Sequence, residues 1–321
     1  MIAAARMPWP EAVTVCEVGP RDGFQMEHAF IPTEVKVRLI NALSRTGLRE
    51  IQATSFVHPK AIPQLRDAEE IMARIDRAPG VVYTALVPNE RGAERAVAAR
   101  VDRIDIVVSA SDSHSLSNAN MTTDEAMARA GRVAALGREA GTDVIIGFAT
   151  ALGCPFEGFL PYARVEALVA RAVEECGLAR VGIADTVGMA NPALVRTTME
   201  ALRRRFPAAG FSLHLHNTRG MGLANLLAGC DAGIAHFDAS VAGLGGCPYA
   251  PGATGNIATE DAVHMLEEMG IATRIRLDAL LEVARQVQEA VGHAESAVLR
   301  AGTSRMLLGA RREGQTKLGA S

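Results

Sequence analysis

Eight short apolar, β-rich runs alternate with eight helical patterns along this chain, and that alternation narrows its fold more than any other feature. The runs read as strands at residues 13–17, 50–54, 81–87, 103–109, 143–149, 180–184, 211–216 and 237–241. Amphipathic spacing predicts helices over 33–46, 62–75, 90–99, 123–140, 161–176, 192–206, 221–232 and 259–269. Thr33 and Thr123 read as N-caps ahead of acidic first turns, and Asn191-Pro192 as an N-cap followed by proline at the first helical position. Strands separated by helices run parallel. Eight such units predict an α/β fold of the closed (β/α)8 TIM-barrel class. The alternative is an open doubly wound sheet, but no GxGxxG follows the first strand and polar residues follow nearly every strand. Helical patterns over about 275–307 predict additional C-terminal helices outside a barrel spanning about 13–270. One domain across 1–321 is expected, with a disordered tail at 310–321.

Hydrophobic residues make up 49% of the 321 positions but aromatic ones only 4%, so the core is expected to be aliphatic. A net charge of −3 offers no basic excess for phosphate backbones and argues against a nucleic-acid partner. Short arginine clusters at Arg203–Arg205 and Arg311–Arg312 read as solvated faces. No apolar stretch reaches the ~18 residues that a membrane span needs, so no membrane association is expected. Five cysteines, Cys16, Cys154, Cys176, Cys230 and Cys247, stand at irregular spacings without a CxxC, which predicts a reduced, cytoplasmic protein.

In a barrel the reacting groups project from the carboxyl ends of the strands. Polar sequence gathers there: Arg21-Asp22-Gly-Phe-Gln25 after the first strand, Gln52 to Ser55 at the second, Asp185-Thr186 at the sixth and His214-Leu-His216-Asn217 at the seventh. After the eighth comes a glycine-rich segment with Cys247 and, nine residues on, Asn256. His214 and His216 stand at i and i+2, so a strand turns both imidazoles to one face. An oxygen from Asp22 and one from the Asn256 carbonyl would complete a mixed nitrogen and oxygen set, suited to a divalent metal such as Mg²⁺ or Mn²⁺. Arg21 could stabilise a developing oxyanion; its structural alternative is an ion pair with Glu17 or Asp185. Cys247, a thiol with an ordinary pKa near ~8.5, can donate a proton to a carbanion. Cys16, Cys176 and Cys230 read as buried small hydrophobes, and Pro155 gives Cys154 a turn reading beside a catalytic one.

Taken together, Glu17-Val-Gly-Pro-Arg-Asp-Gly-Phe-Gln25, Ala53-Thr-Ser-Phe-Val-His-Pro-Lys60, Ala151-Leu-Gly-Cys-Pro155, Asp185-Thr-Val-Gly188 and Gly243-Leu-Gly-Gly-Cys-Pro-Tyr249 resemble the 3-hydroxy-3-methylglutaryl-CoA lyase family of metal-dependent barrels. The resemblance covers roughly residues 13–270. It implies cleavage of a 3-hydroxyacyl-CoA to acetyl-CoA and a keto acid, as in leucine degradation. Asp22, His214, His216 and Asn256 match the family's metal ligands, Arg21 its charge-stabilising arginine and Cys247 its catalytic thiol. Gln25, Gln52, Ser55 and Thr186 are expected to bind substrate, and a homodimer or higher homo-oligomer is expected. The family pattern has Glu where this chain has Gln52, and often Asp where it has Asn217, which makes Asp185 the first candidate base. The related readings are a lyase for citramalyl-CoA or a longer 3-substituted glutaryl-CoA, a condensing synthase, and an inactive metal-bound binding protein.

Overall fold

The computed structural model describes residues 9–246 and 255–303; the tail expected at 310–321 lies outside the described residues. Eight parallel strands close into a barrel in chain order: β1 Thr14–Glu17, β2 Glu50–Ser55, β3 Val82–Leu86, β4 Arg103–Ser109, β5 Asp143–Ala149, β6 Arg180–Asp185, β7 Gly210–Leu215 and β8 His236–Ala239. Closure is made by β8 against β1, with Thr14 beside His236 and Glu17 beside Ala239.

The aliphatic core lies between strands and helices, not along the barrel axis. In β4, Ile104, Ile106 and Val108 are buried in the hydrophobic cluster, while Arg103, Asp105, Val107 and Ser109 line the central cavity. A strand's pleat sends alternate side chains to opposite faces, and here the two sets differ in kind. The same phase puts Gln52 on β2, Gly182 on β6, His214 on β7 and Asp238 on β8 inside. Barrels of this class fill their axis with bulky branched side chains; here Val107 keeps 44% of its surface accessible in mid-strand, because Gly147 and Gly182 on the next two strands leave the axis beside it open.

Helix boundaries show where local chemistry was read correctly and where it was not. Asn191 caps the helix Pro192–Arg205 by accepting from the Leu194 amide. Thr122, not Thr123, caps Thr123–Glu139, in a capping box with Glu125. Pro32, not Thr33, precedes Thr33–Leu43, and the Thr33 hydroxyl bonds Asp67 instead. The expected helix over 62–75 is a short turn Pro63–Leu65 followed by Ala68–Arg74. An unforeseen helix, Asp112–Ala119, is started by the Ser111 hydroxyl and ended by Asn120 at φ 52; its serines and asparagines carry no apolar period. Arg203, Arg204 and Arg205 occupy the last turn of Pro192–Arg205, where positive charge meets the helix C-terminus. That end faces the amino-terminal side of the barrel, away from the strand ends. Outside the barrel, Leu277–Val291 buries Leu280, Leu281, Val283 and Val287, each contributing about 2 kcal/mol by leaving water. The extension expected to 307 is a single short helix, Ala297–Ala301, among the described residues.

The closure seam is tied by a carboxylate. Glu17, wholly buried, accepts from the Gly19 amide at 2.7 Å, the Val241 amide at 2.8 Å and the Thr259 hydroxyl at 2.6 Å. Burial nevertheless raises its carboxyl from 4.5 to about 8, against those three bonds. Between these values the folded chain keeps a proton that the unfolded chain has released, so stability falls as pH rises through that window. Melting temperature is expected to decline between about pH 5 and pH 8, and Glu17→Gln to flatten that decline; identical slopes in the two proteins would contradict a buried proton at this seam.

Candidate metal and catalytic site

The chain leaves β1 in a wide helical turn, Gly19–Gly23, that carries Arg21 and Asp22 side by side into the mouth of the barrel. His214 lies on β7 and His216 just beyond its end, their Nε2 atoms 3.1 Å apart. His214 Nε2 is 3.7 Å from Asp22 Oδ2, and one ligand atom from each of Asp22, His214 and His216 falls within 4.8 Å of the others. Asn256 forms a bridge with His216, so the returning chain is held against the end of β7. Its amide nitrogen donates to Asp22 Oδ2 at 2.8 Å and to the Leu244 carbonyl at 3.1 Å. Only glycine fits this crossing: a Cβ on Gly245, at φ +120, would stand 2.6 Å from Asn256 Nδ2, and one on Gly255 would stand 2.6 Å from the Gly243 carbonyl.

These residues fit a divalent cation. Asn256 Oδ1 and His216 Nδ1 are buried without a hydrogen-bond partner among the described residues, and a buried acceptor left unmatched costs about 1–3 kcal/mol unless something binds it. For Asn256 Oδ1, beside two imidazoles and a carboxylate, a cation is the group that resolves the deficit. Burial and the neighbouring His214 hold His216 at about 3, a neutral imidazole with its lone pair free. Burial works to raise Asp22, but Arg21, His214 and His216 outweigh it and bring the carboxyl to about 2. Burial likewise depresses His214, and the Asp238 contact and charge reverse the direction to a net rise.

Asp238 was missed by the sequence reading. Its Oδ2 lies 3.0 Å from His214 Nδ1, and strand register sets it directly beside His214. That contact turns Nε2 toward Asp22 and His216, the usual service of a carboxylate behind a metal-binding histidine. The signal was available: β7 and β8 are neighbours, and Asp238 shares the inward phase of β8.

Arg21 pairs with neither Glu17 nor Asp185. Its Nη1 donates to Asp22 Oδ1 and its Nε to Gln52 Oε1, so the guanidinium is held on two edges at the wall of a cavity of about 1100 Å³. Gln25 donates to Asp22 Oδ1 at 3.1 Å. Gln25, Gln52 and Thr186 line the cavity, and Thr186 also accepts from the Thr150 amide. Ser55 does not line it; its hydroxyl is spent on the Leu86 carbonyl and the Val57 amide. Asp185 is fully buried at the end of β6, with Oδ1 taking the Met189 and Ala190 amides and Oδ2 partnerless among the described residues. Burial raises its carboxyl to about 6. Asn217 caps the turn into Gly222–Asp231 by accepting from the Gly222 amide. Cys154 is a turn residue whose sulfur sits 2.9 Å from the Ser111 hydroxyl and accepts two loop amides. Cys16, inward on β1, lines the cavity. Cys247 lies outside the described residues.

Replacing Asp238 with Asn leaves the fold intact and is expected to weaken cation affinity 10–100-fold. Titration calorimetry with Mn²⁺ measures this, and unchanged affinity would remove Asp238 from the site.

A family model described as HMGL-like matches residues 12–287. A hydroxymethylglutaryl-CoA lyase from Bacillus subtilis (strain 168) is 47% identical over 286 residues, 89% of this chain and 95% of that protein. The crystal structure of the Bacillus subtilis HMG-CoA lyase aligns with a TM-score of 0.89 at 46% identity, over 92% of this chain and 99% of the other. An HMG-CoA lyase from Acinetobacter baumannii, solved in complex with coenzyme A and 3-methylmalate, aligns with a TM-score of 0.87 at 43% identity, over 92% and 96% of the two chains.

Proposed function

This chain belongs to the HMGL-like family, and we propose that it is a carbon–carbon lyase that cleaves 3-hydroxy-3-methylglutaryl-CoA to acetyl-CoA and acetoacetate. The observation that carries the reading is the convergence of Asp22, His214 and His216 beside the partnerless Asn256 Oδ1 at the open mouth of the barrel. These four residues would hold the cation, Mg²⁺ or Mn²⁺ by the hardness of the oxygen donors. When bound, it supplies positive charge that acidifies the substrate's 3-hydroxyl and orients its oxygens.

The remaining steps belong to side chains of this chain. Asp185, ionised above about pH 6 with one oxygen unengaged, is buried behind the cavity wall and takes the hydroxyl proton by relay. The C3 oxygen becomes a carbonyl as the C2–C3 bond breaks, and its electron pair passes into the thioester as an enolate. Arg21, held edgewise by Gln52 and Asp22, faces that charge with its remaining N–H groups. Cys247 delivers the proton to C2 that completes acetyl-CoA, and Thr186 and Gln25 contact the acyl group at the cavity wall.

The likeness to lyases, one of them solved with coenzyme A, supports an acyl-CoA substrate. No helix among the described residues is long and apolar enough to cross a membrane. Four cysteines there are free, which supports a reduced cytoplasmic setting. A single working domain and a homo-oligomer remain part of this proposal, with exposed Phe156 and Phe159 as apolar surface for such a contact. A citramalyl-CoA or longer-chain substrate would use the same steps. A condensing synthase is disfavoured by the Cys247 segment.

A coupled assay with several 3-hydroxyacyl-CoAs, with and without Mn²⁺, tests the reading; bound metal and CoA without turnover of any substrate would sink it. Cys247→Ser is expected to lower kcat at least ~100-fold with Mn²⁺ affinity retained, and His214→Ala to abolish Mn²⁺ binding itself. Arg21→Met should lower kcat about 100-fold. Loss of metal affinity in the cysteine variant would refute a purely proton-donating thiol.

A further inference from the structure

We propose that Asp105, on the inner face of β4, is a positioning residue for catalysis, acting on Arg21 through the side chain of Gln52. The inference rests on the lyase reading for Arg21's role, and on hydrogen bonds for everything else. Gln52 is buried between two charged groups. Its Oε1 accepts from Arg21 Nε, and its Nε2 donates to Asp105 Oδ2 at 2.5 Å. Asp105 Oδ2 also accepts from the Thr84 hydroxyl at 2.6 Å, while its Oδ1 accepts from Arg103 Nε at 3.2 Å. Burial raises the Asp105 carboxyl, but the Arg103 guanidinium in contact with Oδ1 and the two donors on Oδ2 favour its charged form. Arg103 is anchored in turn by Glu50 at 2.5 Å, and Glu50 lies 3.1 Å from His236 Nε2. All of Gln52, Thr84, Arg103 and Asp105 are buried, so each group must find its partner inside the barrel.

A carboxamide is a neutral coupling with an acceptor at one end and donors at the other, and the two ends are nearly the same size. Steric fit alone would let it sit either way round. In one orientation its oxygen meets the Arg21 guanidinium; in the other an NH₂ group confronts it, donor against donor. The Asp105 carboxylate selects the first, because only then does a Gln52 N–H point at Oδ2. Arg21 then has Nε fixed by Gln52 and Nη1 fixed by Asp22. This leaves Nη2, which bonds to nothing among the described residues, on a side chain that lines the cavity. The charge that orients Arg21 from this side therefore stands one side chain removed, on β4, and not at position 52.

The relation can be inverted as a test. Asp105→Asn removes the charge and is nearly isosteric. It is expected to lower kcat 10–100-fold while KM for the acyl-CoA and Mn²⁺ affinity stay within about threefold of wild type. Gln52→Glu sets a second carboxylate against Asp105, two like charges that cannot both ionise in contact. Its activity is expected to fall at neutral pH and recover partly on acidification. The double variant Gln52→Glu, Asp105→Asn exchanges the carboxylate and the carboxamide, and is expected to return to within about fivefold of wild-type kcat, the signature of coupled positions. Wild-type kcat in Asp105→Asn, or a double variant no faster than the slower single one, would overturn the proposal. A further readout separates it from the lyase reading itself. The Nε–H proton of Arg21, followed by NMR, should be protected from exchange in the wild-type protein and unprotected in Asp105→Asn, whether or not any acyl-CoA is turned over. Equal protection in the two proteins would overturn the proposal as well.

Discussion

Pairing of β8 with β1 is the interaction on which the site depends. It brings Asp22, from the first turn after the barrel begins, into contact with Asn256, 234 residues later. Without closure Asp22 and the two histidines would belong to separate edges of an open sheet. The seam holds through backbone bonds along the two strands and through the buried side chain of Glu17, which reaches both the turn after β8 and the start of Thr259–Glu268. A second carboxylate, Glu260, takes the Ala242 amide in the same turn, and burial raises it to about 7. Two buried acidic side chains thus hold together the region where the first and last strands of the barrel meet.

The electrostatics of the mouth follow from that meeting. Asp22 accepts from Arg21, Gln25 and Asn256 at once, and Arg21 beside it holds its carboxyl down against burial. Such mutual dependence is costly in a dry interior unless every partner is present. The unmatched Asn256 oxygen, beside Asp22, His214 and His216, marks where this arrangement is open to a further ligand.

Much of this was legible in the sequence, and the reason is local. Strands and most helices declare themselves by period and capping, and the i, i+2 spacing of His214 and His216 states their common face before any fold is known. Asp22, Arg21 and Asn256 were legible because strand ends and glycine-rich turns mark the mouth of a barrel. What escaped was the support behind them. Asp238, Asp105 and Glu17 act across strands, on partners 21 to 242 residues away, and nothing near them in the sequence names the partner. Ser55 erred in the opposite sense: a polar residue at a strand end looks like a ligand contact until its hydroxyl is found bonded to the neighbouring strand. For Arg21 the alternative of an ion pair with Glu17 or Asp185 does not form; the carboxylate it contacts is the adjacent Asp22.

The open axis of this barrel has an evolutionary corollary. Along β4 the residues Ile104, Ile106 and Val108 hold the strand to its helices, while Arg103, Asp105, Val107 and Ser109 look into the cavity. Stability and chemistry are thus written on alternate letters of the same short word. A lineage can rewrite the inward letters, exchanging charges between strands or widening the hollow, while the outward letters keep the barrel standing. In a barrel packed solid along its axis, each such change would have to be accommodated by all of its neighbours in the layer.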